Sequence, residues 1–155
     1  AGLAPPRRVI DLGCGSGILG LAALRLWPAI EDLLLADHDP ESVATARDNA
    51  GDNELAGDPR LRFATLDLLA DAGAELEPAS LVLANIRPEV LIPAAKTLRE
   101  ATAPGALLLL SGILAEEAAQ VRAAYESFAL EAEPHEGDWC ALLLRAPARE
   151  GSPRG

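Results

Sequence analysis

The sequence predicts an α/β domain built on a mostly parallel sheet. Short apolar runs of strand length alternate with helix-length segments, the pattern that layers helices on a sheet. The runs are continuously apolar rather than alternating, as in strands covered by helices on both faces. A glycine-rich turn stands between the first run and the first helix.

Val9 to Leu12 is a short apolar run that stops at Gly13 and reads as a buried strand. Ile18 to Trp27 is apolar almost all round, so a buried helix follows, ended by Pro28. Leu33 to Ala36 is a second buried strand. Asp39-Pro40 supplies an N-cap and a proline at the first helical position, opening a helix to about Ala50. Leu61 to Leu66 and Leu81 to Ile86 are the third and fourth strands. Pro88 and Pro93 bracket the start of a helix that runs to Ala101. Pro104-Gly105 turns the chain into a fifth strand, Ala106 to Leu110. From Glu116 to Phe128 a helix places Val121, Ala124, Tyr125 and Phe128 on one face. Leu130 to Glu133 and Cys140 to Leu144 are a closing pair of strands, with Tyr125 and Trp139 as core or sheet-edge packing. The domain is expected over residues 1–147, and the Pro-, Gly- and charge-rich tail 148–155 is expected to be disordered.

The bulk properties narrow the partners. At 155 residues, half of them hydrophobic, the chain fits one domain with a sizeable core. Its 13 basic and 24 acidic residues give a net charge of -11, which repels bare phosphate backbone and suits a basic protein substrate better. No direct nucleic-acid partner is expected. Cys14 and Cys140 form no CxxC pair, and no His/Cys cluster has ligand spacing, so no metal is expected. Two free thiols suit a reducing cytoplasm. No apolar run reaches transmembrane length, so no membrane association is expected. The chain begins at Ala1 and contains no Met, and is read as a piece of a longer protein. Its oligomeric state is not readable.

In parallel sheets ligands bind beyond the carboxyl ends of the strands, near the switch in strand order. Gly13 to Gly17, Asp37, Asp67, Asn85 and Ser111 all fall at such ends. Gly13, Gly15 and Gly17 form a GxGxG turn preceded by Asp11, with Ile18 where a dinucleotide fingerprint has its third glycine. Asp11 opposes a phosphate and suits an ammonium, so a ligand ending in an amino-acid head group fits better than a pyrophosphate. Asp37, 20 residues after Gly17, stands where an acid grips a ribose diol, and Asp39 has the capping role. Asp67 either accepts from an exocyclic adenine amine or is a loop acid. Cys14 is a small turn residue rather than a nucleophile, and His38 a loop residue rather than a catalyst.

These residues resemble a class I methyltransferase that uses S-adenosyl-L-methionine. Leu83-Ala84-Asn85-Ile86, Leu110-Ser111-Gly112-Ile113-Leu114, Ala123-Ala124-Tyr125 and Gly137-Asp138-Trp139 resemble successive signatures of the ribosomal protein L11 methyltransferase family. The resemblance covers Val9 to Arg145, and the glycine loop is its least selective part. It implies a Rossmann-like, seven-stranded sheet whose last strand is antiparallel. It implies Asp11, Gly13 and Gly15 around the methionine moiety, Asp37 on the ribose and Asp67 near the adenine. Asn85 would lie beside the transferable methyl group and orient an amine acceptor, as the catalytic residue. Cys14, Gly17, His38 and Leu66 complete the expected cofactor-binding set. The implied activity is N-methylation of lysine or N-terminal amines of a ribosomal protein. Two departures stand out. The family's N-terminal substrate-recognition domain and its FGTG-type linker are missing from this sequence, and Arg87-Pro88 replaces the more frequent Leu-Ala. The alternatives are a methyltransferase for another protein, RNA or a small molecule, a non-catalytic S-adenosyl-L-methionine-binding module, and a nucleotide-binding oxidoreductase domain.

Overall fold

A computed structural model describes residues 4–70 and 76–148. The sheet begins with β1 (Arg8–Leu12), β2 (Asp32–Asp37), β3 (Leu61–Thr65) and β4 (Ala79–Asn85), joined in part by α1 (Ile18–Leu26) and α2 (Pro40–Asp52). Then come α3 (Pro88–Leu91), α4 (Ala95–Ala101), β5 (Thr102–Leu114), a 3₁₀ turn (Ala115–Glu117) and α5 (Ala118–Ala124). β6 (Ala129–Ala132), β7 (His135–Glu136) and β8 (Trp139–Arg145) close the chain.

The strand path is β3-β2-β1-β4-β5-β8-β6, with β7 paired to β8. β1 to β5 pair in parallel, and β8 runs antiparallel between β5 and β6. The expected Rossmann-like sheet with an antiparallel last strand is therefore present, and its path holds the expected seven strands. The segment read as a loop between the closing strands adds β7, because His135 and Glu136 pair with Cys140 and Trp139 around Gly137. Gly137 has φ +59, a left-handed geometry that permits so tight a reversal.

Strand side chains divide between two layers. Ile10, Leu34, Val82, Leu108 and Leu142 pack with Leu91, Leu98 and Val121 of the α3–α5 side. Val9, Leu33, Leu35, Leu81 and Leu83 pack with Leu21, Leu24, Ala46 and Ala50 of α1 and α2. Helices on both faces explain why the strands read as continuous apolar runs.

Three element boundaries depart from the sequence expectation. The helix bracketed by Pro88 and Pro93 is two pieces, α3 and α4, because Pro93 lacks the N–H that would continue the first. The fifth strand is longer at both ends than Ala106 to Leu110, since pairing to β4 and β8 extends it through Pro104 and past a bulge near Ser111-Gly112. The helix read from Glu116 to Phe128 stops at Ala124. Tyr125 and Phe128 are buried beyond its end, and the Tyr125 hydroxyl donates to the Leu91 carbonyl at 2.7 Å. Residues 149–155, most of the expected tail, lie outside the described residues.

Candidate functional site: paired crevices at the strand ends

β1 lies between β2 and β4, where the direction of strand progression reverses. The chain leaves β1 through Gly13 (φ +68), Gly15 (φ +52) and Gly17 (φ +79). Two of these glycines meet neighbours that a side chain would disturb. A Cβ on Gly13 would stand 2.5 Å from Ile86 Cγ2, and one on Gly17 3.1 Å from Ala46 Cβ. Gly15 is different: a Cβ there would meet nothing within 4 Å. Crowding does not explain Gly15, and its backbone borders open space.

The acids build the rest. Asp11 is buried, and its Oδ2 accepts from the Gly20 N–H of α1 at 2.9 Å. It caps a helix whose own N-cap, Gly17, has no side chain to do so. Burial, with a further push from Asp37, raises the Asp11 carboxyl from 3.8 to about 6 against the pull of the Gly20 bond. Asp37, also buried, accepts from Gly15 N–H at 2.9 Å through Oδ2 and from Asp39 N–H at 3.0 Å through Oδ1. The loop after β1 and the acid after β2 are thus one hydrogen-bonded unit. His38 is exposed, with Nδ1 3.1 Å from Asp37 Oδ1. Asp39 caps α2 through the Glu41 N–H, as expected.

Gly13, Asp37, His38 and Asp67 line one crevice of about 220 Å³, together with Leu68, Leu69, Ile86 and Val90. Asp67 is exposed and organises its own turn by accepting from Leu69 N–H at 2.9 Å. The Thr97 hydroxyl donates to the Leu68 carbonyl at 2.9 Å and ties that turn to α4. Leu66 does not line the crevice. Its N–H donates to the Asp37 carbonyl, and its side chain packs on the core. Cys14 is buried beneath the loop, and desolvation followed by Asp11 and Asp37 pushes its thiol up to about 12. That shift disfavours the thiolate, the nucleophilic form.

Asn85 lies in a second crevice, of about 360 Å³, lined also by Ile86, Arg87, Ser111, Gly112 and Trp139. Ile86 is common to both, so the two crevices share a wall. Asn85 faces Ser111 across the β4–β5 register. Gly112 (φ +76) admits the close approach, since a Cβ there would lie 3.0 Å from Asn85 Oδ1. The Asn85 side chain is exposed and makes no hydrogen bond among the described residues. Trp139 is not core packing. It is 56% exposed, because it begins the strand opposite Leu114, at the open end of the sheet.

The sequence reading missed the apolar walls: Leu68, Leu69, Ile86 and Val90. The Leu68-Leu69 pair directly after the strand-end acid Asp67 was the available signal.

The family model described as Ribosomal protein L11 methyltransferase (PrmA) matches residues 3–147. A ribosomal protein L11 methyltransferase of Azotobacter vinelandii is 42% identical over 137 residues, 88% of this chain and 44% of that protein. One from Pseudomonas aeruginosa is 40% identical, covering 92% of this chain and 46% of its own length. The chain therefore spans less than half the length of these curated relatives. Among solved structures, a ribosomal protein L11 methylase from Lactobacillus delbrueckii subsp. bulgaricus superimposes with TM-score 0.79 at 27% identity, over 95% of this chain and 73% of that one. An RNA methyltransferase from Salinibacter ruber, solved in complex with S-adenosyl-L-homocysteine, shares the fold at TM-score 0.68 and 22% identity, over 96% of this chain and 85% of that one.

Proposed function

The chain belongs to the ribosomal protein L11 methyltransferase family, and from that premise we propose that it binds S-adenosyl-L-methionine in the first crevice and N-methylates lysine or N-terminal amines of ribosomal protein L11 presented in the second. A cytoplasmic setting goes with that substrate.

The observation that carries this reading is the Gly15 N–H···Asp37 bond of 2.9 Å, which makes the glycine loop and the strand-end acid a single anionic cradle. The residues fit the group. The open space beside Gly15 leaves room for a ligand against bare backbone. Asp11 and Asp37 favour a cationic head group and repel a pyrophosphate. Asp37 holds the ribose diol with the acceptor capacity its backbone bonds leave, and His38 flanks it. Asp67 and the Leu68-Leu69 turn take the adenine. Gly13, Cys14 and Gly17 shape the loop, and Leu66 acts through its backbone only.

When bound, the sulfonium supplies an electrophilic methyl group. The chain's own contribution is alignment, which is worth up to ~7–11 kcal/mol in well-oriented reactions. Asn85 Oδ1, free of other bonds, accepts from an amine N–H and turns the nitrogen lone pair toward the shared Ile86 wall. A lysine must arrive neutral from an ordinary value of about 10.4. The indole of Trp139 and the Ile86 side chain partly desolvate it, which favours the neutral form.

Calorimetry with S-adenosyl-L-homocysteine, S-adenosyl-L-methionine and NAD tests the binding step. The first two bind and NAD does not; the reverse order would falsify the reading. Mass spectrometry of ribosomal protein L11 incubated with the enzyme and S-adenosyl-L-methionine then tests the acceptor by mass increments at amines.

A further inference from the structure

We propose that Arg87 selects the acceptor by pairing with an acidic side chain next to the amine to be methylated, while Trp139 covers the apolar stem of that amine. The inference rests on the functional reading above.

Arg87 lines the crevice that holds Asn85 and Trp139. Every other described arginine has a partner. Arg7, Arg8, Arg60, Arg62, Arg122 and Arg145 pair with carboxylates. Arg25 and Arg99 donate to backbone carbonyls, and Arg47 lies over the Phe63 ring. Among the described residues the Arg87 side chain has no hydrogen bond or ion pair, in a chain with 24 acidic against 13 basic residues. An unpaired guanidinium in so acidic a protein is a site for a carboxylate from elsewhere, which its planar fork can take with two bonds.

Its base is fixed. The Arg87 carbonyl accepts from the Val90 and Leu91 N–H groups at 2.9 and 3.0 Å, and Pro88 is buried behind it. Asn85 and Arg87 are two residues apart, so an amine held by one places a neighbouring acid of the acceptor near the other. The hydrogen bond at Asn85 and the ion pair at Arg87 then set the direction in which the acceptor lies. The net charge of -11 draws in a basic partner, and Arg87 is the local exception that orients it. Trp139 offers an exposed apolar face in the lining of the same crevice.

The test uses short peptides with one central lysine flanked by glutamate, alanine or lysine. Binding is read from the indole N–H resonance of Trp139, assigned against Trp27 with Trp139→Phe. The glutamate-flanked peptide binds about two- to fivefold tighter than the alanine-flanked one, the size of a solvent-exposed pair. Arg87→Glu reverses the order in favour of the lysine-flanked peptide. It leaves S-adenosyl-L-homocysteine affinity and the folded spectrum unchanged, because Arg87 lies outside the first crevice. An unchanged order in Arg87→Glu, or no peptide effect on Trp139, overturns the proposal. So does an RNA oligonucleotide that shifts Trp139 through Arg87 while the peptides do not, which would make the guanidinium a phosphate site. Titrations with and without S-adenosyl-L-homocysteine separate the two failures: loss of cofactor binding sinks the functional reading, and loss of the ranking sinks this inference.

Discussion

Asp11 caps α1 through Gly20 N–H, and in the proposed site it also supplies negative charge for the ligand, two uses that conflict. Its carboxyl, held at about 6 by burial rather than at 3.8, keeps its proton longer in the folded chain than in the unfolded one. The folded state is then favoured fully below about pH 4 and loses that advantage as pH rises through 6, by about 3 kcal/mol. Asp11→Asn retains an acceptor for Gly20 N–H without the charge. Its melting temperature matches the wild type near pH 4 and exceeds it by roughly 5–10 °C at pH 7–8, while S-adenosyl-L-homocysteine affinity falls. A melting-temperature gap that stays constant from pH 4 to 8 would show that Asp11 ionises in the folded protein without penalty. The Asn85 side chain has the opposite character, exposed and without a hydrogen bond among the described residues. Asn85→Ala lowers turnover tenfold or more with cofactor affinity and stability unchanged; steady-state kinetics beside calorimetry decides this, and equal turnover removes Asn85 from the mechanism.

At the level of elements, the glycines of the loop after β1 do different things, although all three have positive φ. Gly13 presses on Ile86, the wall shared by both crevices. Gly13→Ala forces that side chain to move and also strains the left-handed backbone, costing together about 2–5 kcal/mol by urea unfolding, with cofactor affinity lost as well. Gly15 borders open space, so Gly15→Ala costs only the left-handed backbone, about 1–2 kcal/mol. Its affinity loss for S-adenosyl-L-homocysteine is larger than its stability loss. If the two substitutions have the same ratio of affinity to stability loss, the space beside Gly15 is not the ligand's. The turn after β3 and the end of α3 are held in place from behind, by Thr97 on Leu68 and Tyr125 on Leu91. Neither tie follows from helical or strand periodicity.

For the whole molecule, the charge of -11 acts over about a Debye length, ~8–10 Å in ordinary buffers. On the proposed function, attraction of a basic protein acceptor weakens with ionic strength, whereas a ligand seated against Asp37 would be screened much less. Between low and moderately high salt, KM for ribosomal protein L11 rises several-fold and the S-adenosyl-L-homocysteine Kd changes little. A flat KM would mean that the acidic surface serves solubility alone. No described helix is long and apolar enough to cross a membrane.

The strand-helix alternation, the glycine turn with its preceding acid, and the acids at the strand ends were all legible from the residues alone. Each depends on local rules: apolar runs that fit a covered strand, a Gly where φ is positive, an acid a set distance along the chain. The family signatures named the fold and the relatives before any coordinate. What the chain order could not decide is which strand lies beside which, and so which strand ends meet. That juxtaposition joins Gly15 to Asp37, sets Ile86 between two crevices, splits the helix at Pro93, and leaves Trp139 exposed and Leu66 turned away. Among the described residues it also leaves the Arg87 side chain without a partner, which no pattern of residue types along the chain records, because an ion pair depends on neighbours brought together by packing.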